Sequence, residues 1–127
     1  MDPEYSDAWL LESAILVETS RAEQAFERIR DAARRQPRAP EIHFAVAYVA
    51  TYSGYLELAA AELDRALPLE PTYLVRGGWS PNAYLYRGEL AKFMRLLPTV
   101  DSPFFRFYRA WAHLLQDAPG EARTELE

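Results

Sequence analysis

The sequence predicts an all-α fold built from helical hairpins that repeat along the chain. Prolines recur at residues 3, 37 and 71, a spacing of 34 residues, and glycines recur at the same spacing at residues 54 and 88. Between these positions, apolar residues follow the i, i+3/i+4, i+7 period of amphipathic helices. A fixed period of this length is typical of proteins that stack helix–turn–helix units.

Four helices are predicted in the first half of the chain, at about 6–19, 21–36, 41–53 and 55–67. The pair Ser20 and Glu23 has the spacing of a capping box, which predicts that Ser20 begins the second helix. Gly54 can adopt the left-handed conformation that ends a helix. Pro37 and Pro71 cannot continue a helix, so they predict where the second and fourth helices end.

Small residues are placed where the two helices of each hairpin would cross. Two helices joined by a short turn approach closely only if their contact positions are small. Ser13 can face Ala25 in the first hairpin, and Ala47 can face Ala59 in the second. The second helices have an apolar stripe for burial, formed by Ala22, Ala25, Phe26, Ile29, Ala32 and Ala33, and by Ala59, Ala60, Leu63, Ala66 and Leu67.

The third unit departs from this pattern. Gly77-Gly78 opposes helix formation, and Ser80-Pro81 predicts a late, short helix that runs through about Arg87. A second helix is expected over 89–97, with Leu90, Phe93, Met94 and Leu97 on its apolar face. Because Phe93 replaces the small residue at the crossing, this hairpin is expected to be splayed or shifted.

A fourth unit begins at Asp101-Ser102-Pro103, an N-cap followed by a proline. Its first helix is predicted at about 103–116, and Pro119-Gly120 begins a second one. The final helix is either a polar cap of the array, which Glu121 and Glu125 would suit, or an incomplete helix that belongs to a longer array of repeats. We favour the second interpretation.

These residues resemble the tetratricopeptide repeat family. The first repeat matches at Trp9, Ser13, Ala25, Ile29, Ala32 and Pro37, and the second at Ala47, Gly54, Ala59, Leu63, Ala66 and Pro71. His43 and Ala50 stand where the family prefers Trp and Tyr. The resemblance implies a right-handed α-α superhelix of antiparallel helix hairpins. It would form one domain over 1–127, with repeats at about 4–37 and 38–71, a degenerate repeat at 72–101 and a partial one at 102–127, about three and a half in all.

The resemblance also implies a binding groove, because the first helices of tetratricopeptide repeats line the concave surface. The expected groove residues are Leu10, Ala14, Val17, Phe44, Tyr48, Thr51 and Tyr52, joined by Tyr84 and Tyr86. An aromatic groove suits an extended peptide or an amphipathic helix of a partner protein. Alternatively, these rings pack against neighbouring hairpins, and the chain is a structural or oligomerisation segment, including a homo-oligomer, of a larger regulatory or sensor protein. Arg76 and Trp79 are a candidate for a second contact surface; alternatively, their stretch is an insertion that lets a degenerate repeat keep packing.

Composition and charge argue against other functions. The net charge of −5 and pI of about 5.1 disfavour nucleic acid as a partner. No apolar run reaches the ~20 residues that cross a membrane. His43 and His113, the two histidines, lack ligand-like partners, and neither a phosphate-binding loop nor a nucleophile elbow is present. We therefore expect no metal, no cofactor and no enzymatic activity, and a cytoplasmic location; the excess of Arg over Lys indicates a bacterial source of high genomic GC content.

Overall fold

A computed structural model describes the backbone of residues 3–72, 81–97 and 102–127, with their side chains except those of residues 3–7, 9 and 10. Over these ranges the chain is all-helical and contains no strand, which confirms that the fold is all-α. The helices are α1 (Pro3–Glu18), α2 (Ala22–Arg35), α3 (Pro40–Tyr52), α4 (Leu56–Ala66), α5 (Asn82–Tyr86), α6 (Leu90–Leu96), α7 (Pro103–Leu115) and α8 (Pro119–Leu126). Their bounds agree with the predicted ones to within a few residues.

The chain forms two compact units, Met1–Tyr73 and Leu74–Glu127. In the first unit, α3 is the central helix, because it packs against α1, α2 and α4. In the second unit, α5 packs against α6, α6 against α7, and α7 against α8. Successive helices therefore pair as four hairpins: hairpin 1 (α1–α2), hairpin 2 (α3–α4), hairpin 3 (α5–α6) and hairpin 4 (α7–α8).

The same turn joins the two helices of every hairpin. Its central residue, here called the turn residue, has a left-handed backbone: Ser20 (φ 61°), Gly54 (φ 85°), Gly88 (φ 76°) and Asp117 (φ 57°). In each turn, the N–H of the residue after the turn residue donates to the carbonyl five residues before that donor, over 2.7–2.9 Å. The N–H of the turn residue itself donates to the carbonyl three residues before it, over 3.0–3.3 Å. This is the Schellman arrangement, which satisfies the free carbonyls of the first helix.

Aligning the hairpins on their turn residues shows that two buried positions recur. The residue seven places before the turn residue is Ser13, Ala47, Pro81 or Ala110, and all four are buried. The residue five places after it is Ala25, Ala59, Phe93 or Ala122, each at most 3% exposed. The turn residues of the first three hairpins, at 20, 54 and 88, are 34 residues apart, so the predicted period extends into hairpin 3.

Two residues do not set the helix boundaries in the way that was predicted. Ser20 does not cap α2, because it occupies the left-handed position that ends α1; an N-cap residue needs an extended backbone, and Arg21 takes the position before α2 without a side-chain cap. Pro71 does not end α4, which stops at Ala66. Leu67 still has a helical backbone and donates to the Leu63 carbonyl, but Pro68, two residues beyond the end of α4, has no N–H with which to continue the helical hydrogen bonds.

Hairpin 3 contains Pro81 and Phe93 where the other hairpins have small residues at the crossing. Both side chains are fully buried, and the Phe93 ring packs edge-on against Tyr108, with centroids 6.2 Å apart. Pro81 precedes α5 as its N-cap residue instead of forming its first turn, as was predicted, while Ser80 lies outside the described residues. Phe93 thus fills with one ring a contact that two small residues make elsewhere.

Candidate functional site

The predicted groove residues of the first unit centre on two tyrosines of α3. The Tyr48 and Tyr52 rings are 4.8 Å apart between centroids and inclined by 58°. The Tyr48 hydroxyl donates a 2.8 Å hydrogen bond to Oε1 of Glu18 on α1, and Tyr52 is 45% exposed. Ala14 and Val17, also on α1, are half-buried. These residues form one surface where α1 and α3 meet, with an acidic side chain fixed beside the aromatic rings.

The Tyr48 hydroxyl is held in its protonated form. Burial, followed by the hydrogen bond to the Glu18 carboxylate, raises the pKa of Tyr48 above its usual range. The carboxylate needs a donor, and the hydroxyl can donate only while it is protonated. The pair therefore links α1 to α3 and orients the Tyr48 ring on the surface.

Two residues predicted in the groove are buried instead. Phe44 is 3% exposed and Thr51 is 8% exposed, and the Thr51 hydroxyl donates to the carbonyl of Ala47 within α3. Three helices pack around α3, so most of its circumference is interior. Phe44 and Thr51 therefore belong to the core of the first unit, and Tyr48 and Tyr52 remain as its accessible aromatic surface.

The two tyrosines predicted in the second unit have different environments. Tyr84 is completely buried, with Lys92 Nζ 4.2 Å from its ring centroid. It lies four residues before its turn residue, where hairpins 1 and 2 have the buried residues Leu16 and Ala50, so its placement in the groove is wrong. Tyr86 is 41% exposed, and its ring centroid lies 6.2 Å from that of Trp111 on α7.

A large exposed apolar stripe, which sequence reasoning did not assign to the site, runs along α7. Its members are Phe104, Phe107, Trp111, Leu114 and Leu115, between 36% and 57% exposed. The Phe107 and Trp111 rings are in contact, with centroids 6.1 Å apart. The buried residues Ala110 and Ala112 flank this stripe on α7. Together with Tyr86, these five residues are called the α7 surface below.

Four members of the α7 surface lie at positions in hairpin 4 that are equivalent to predicted groove positions in hairpin 2. Counted back from their turn residues, Phe107 is equivalent to Phe44, and Trp111 to Tyr48. In the same count Leu114 and Leu115 are equivalent to Thr51 and Tyr52. Recognition of Asp117 as a turn residue would have identified this surface from the sequence. In the described part of the chain, α7 packs against two helices, α6 and α8, whereas α3 packs against three. This face of α7 is therefore left open.

Three further predicted site residues lie outside the described part of the chain: the side chain of Leu10, and both Arg76 and Trp79. Within the described ranges, no group of three or more His, Asp or Glu side chains is placed to hold a metal ion. None of the helices described there is long and apolar enough to span a membrane.

No family model matches the chain, and no curated protein or solved structure matches it either.

Proposed function

We propose that the chain is a protein-interaction module of the tetratricopeptide type, which binds a peptide or helix of a partner protein on the exposed faces of its first helices. The repeated turn, and the buried positions seven residues before and five after it, support a stack of equivalent hairpins. In a right-handed superhelix of such hairpins, the first helices would line one continuous concave surface.

The observation that carries the proposal is the residue two places before each turn residue. It is Glu18, Tyr52, Tyr86 or Leu115 in the four hairpins, and it is exposed in every one. In hairpins 2, 3 and 4 this exposed residue is large and apolar, with 41–53% of its surface accessible. A single exposed apolar residue is ordinary, but a recurring one that adjoins further exposed rings is typical of an interaction surface.

The chemistry of the α7 surface favours an apolar partner segment. Aromatic rings supply large contact areas at little cost in conformational entropy, and Trp and Tyr are the residues most often found at the energetic centre of interfaces. Apolar side chains supply no acid, base or nucleophile. We therefore propose binding without catalysis, by burial of one apolar face of an amphipathic helix or peptide against α7.

The test is affinity capture from the source organism with a variant in which Phe107 and Trp111 are both replaced by Ser. A partner bound by the unchanged chain should be lost, while the circular dichroism spectrum is retained because both rings are exposed. The control is Leu11→Ser with Ile15→Ser, which removes two exposed apolar side chains from α1 outside the equivalent positions. Partners retained by the Phe107/Trp111 variant would contradict the proposal.

The other candidate, a structural segment of a larger assembly, is favoured by the outer face of α1. Leu11 and Ile15 are 61% and 54% exposed, whereas their equivalents in hairpin 2, Ala45 and Val49, are at most 1% exposed in a helix that packs on α2. This face of α1 would accept another helix as α3 accepts α2. Sedimentation at two concentrations tests this candidate, which predicts association that Leu11→Ser with Ile15→Ser abolishes.

A further inference from the structure

A groove separates the second helices α2 and α4, on a different side of the first unit from Tyr48 and Tyr52. Its walls are α2 and α4, and His43 and Val46 of α3 lie between them. Because a helix turns by 100° per residue, Val46 points about 160° away from Tyr48. The half of the groove next to Pro37, called the arginine groove below, has a volume of about 670 Å³.

Three guanidinium groups line the arginine groove: those of Arg30 and Arg34 on α2 and Arg65 on α4. Within the described ranges, neither Arg30 nor Arg34 has a carboxylate within salt-bridge distance, although five other arginines there are paired. The arginine groove therefore presents positive charge on a chain whose net charge is −5.

Glu62 is the acidic residue that lines the arginine groove, and both of its oxygens are already engaged. Oε2 is 2.5 Å from Nδ1 of His43, and Oε1 accepts a 2.6 Å hydrogen bond from Nη1 of Arg65. Nε2 of His43 lies 2.9 Å from the carbonyl of Pro37. Since Glu62 is 6% exposed and fully engaged, it offers little charge to cancel Arg30 and Arg34.

Apolar side chains lie between these cations. Ile29 is fully buried and Val46 is 8% exposed, while Leu58 on α4 remains 37% exposed. The Phe26 ring extends the apolar wall and packs edge-on against Tyr55, with centroids 5.5 Å apart. The arginine groove thus combines an apolar depression, large enough for a short peptide segment, with a cationic rim.

We propose that the arginine groove binds an acidic segment of a partner protein, in which a leucine or aromatic side chain is flanked by Asp or Glu. The apolar side chain enters between Ile29, Val46 and Leu58, and the flanking carboxylates pair with Arg30 and Arg34. Guanidinium groups hold carboxylates through paired N–H donors, and an apolar wall beside them strengthens the attraction by excluding water. This site is separate from the α7 surface and does not depend on the function proposed for it.

The probe is a synthetic helical peptide of about 15 residues with leucines on one face and glutamates beside them; a second peptide has lysine in place of every glutamate. Titration of the ¹⁵N-labelled chain should shift the backbone amides of Arg30, Arg34 and Leu58 and leave that of Tyr52 unchanged. The lysine peptide should shift none of them. Saturable shifts of the Arg30, Arg34 and Leu58 amides with both peptides, or with neither, would overturn the proposal.

Reversing the charges of Arg30 and Arg34 distinguishes binding in the arginine groove from general electrostatic attraction of the peptide to arginines elsewhere on the chain. Arg30→Glu with Arg34→Glu should weaken binding of the glutamate peptide at least tenfold, since two carboxylate pairs become repulsive. The matched control is Arg38→Glu with Arg123→Glu, which changes the net charge by the same amount at exposed positions outside the groove. Because added salt screens long-range attraction, this control should alter Kd less than twofold in its presence. Equal weakening by the two double variants would refute the site.

Folding and self-association are measured in parallel. If Arg30→Glu with Arg34→Glu disturbs the spectrum of the chain, Arg30→Gln with Arg34→Gln removes the charge without reversing it and should still weaken binding severalfold. Sedimentation without peptide should give the same mass for the unchanged chain and for the variant Arg30→Glu with Arg34→Glu, called the glutamate variant. Self-association abolished by the glutamate variant would show that a second copy occupies the groove, and would overturn the proposal of an acidic partner.

Discussion

Replacing Ser20 by glycine is expected to stabilise the protein. Ser20 is one of two turn residues with a side chain in the left-handed conformation, and its φ of 61° is close to those of Gly54 and Gly88. Its side chain is exposed and the Schellman hydrogen bonds around it use backbone atoms alone, so glycine would retain them. What glycine removes is the contact between Cβ and the following carbonyl that disfavours this conformation for other residues.

The structure sets the size of the effect. The left-handed conformation costs a residue with a side chain about 1–2 kcal/mol, and glycine loses about 0.5–1 kcal/mol more backbone entropy on folding. The net gain for Ser20→Gly is therefore about 0.5–1 kcal/mol. The reverse exchange, Gly54→Ser, should cost about 1 kcal/mol, because no atom lies within 4 Å of an added Cβ and the backbone strain is then the whole penalty.

Urea unfolding followed by circular dichroism at a helical wavelength measures both changes. A free energy of about 1 kcal/mol corresponds to a midpoint shift of roughly 0.3–1 M in urea, since the slope for small proteins is about 1–3 kcal/mol per molar. Ser20→Ala is the control, because it removes the hydroxyl and keeps Cβ, and it should leave the midpoint nearly unchanged. A stability lowered by Ser20→Gly, or raised equally by Ser20→Ala, would refute the strain argument.

Three other predictions concern packing and protonation. Phe93→Ala should destabilise the second unit by about 3–5 kcal/mol, as for other buried rings, whereas Phe107→Ala should cost less than about 1 kcal/mol; urea unfolding compares them, and equal losses would contradict the assigned burial. His43→Ala and Glu62→Ala should be coupled by about 1–2 kcal/mol in a double-mutant cycle, and additivity would contradict the hydrogen bond between them. The raised pKa of Tyr48 means that the folded state holds this proton more tightly than the unfolded state, so its stabilising effect is complete below pH ~10 and is lost at higher pH. Unfolding midpoints between pH 8 and 11 should therefore fall less steeply in Tyr48→Phe, and an identical slope would contradict the shift.

The hairpins could be predicted because their determinants are local. The left-handed turn at Gly54 and the small residues Ser13, Ala25, Ala47 and Ala59 follow from residue type and spacing, and the structure confirms each. Ser20 was misread because serine is a good N-cap and a poor left-handed residue. The competing backbone bonds of the α1 terminus, which the N–H groups of Ser20 and Arg21 donate, determine its conformation.

Exposure within the candidate site depended on tertiary packing and was less predictable. Phe44 and Phe107 occupy equivalent positions of first helices, yet the first is buried and the second is exposed. The difference is the number of helices around them, three for α3 and two for α7, which no local pattern reveals. Tyr84 was misplaced for a simpler reason: without the turn residue Gly88 as a reference, its position four residues earlier could not be recognised as an inward one.

On α3, the surface at Tyr48 and Tyr52 and the arginine groove lie on different sides, and binding at the proposed sites can be separated experimentally. Tyr52 and Val46 both belong to α3, and the helical turn directs them about 120° apart. Residues without shared partners usually contribute additively. Tyr52→Ala should therefore leave the affinity of the glutamate peptide for the arginine groove unchanged, while Arg30→Glu with Arg34→Glu should leave partner capture by the α7 surface unchanged. If either variant altered both activities, the two binding events would be coupled, and the assignment of two independent surfaces would be wrong.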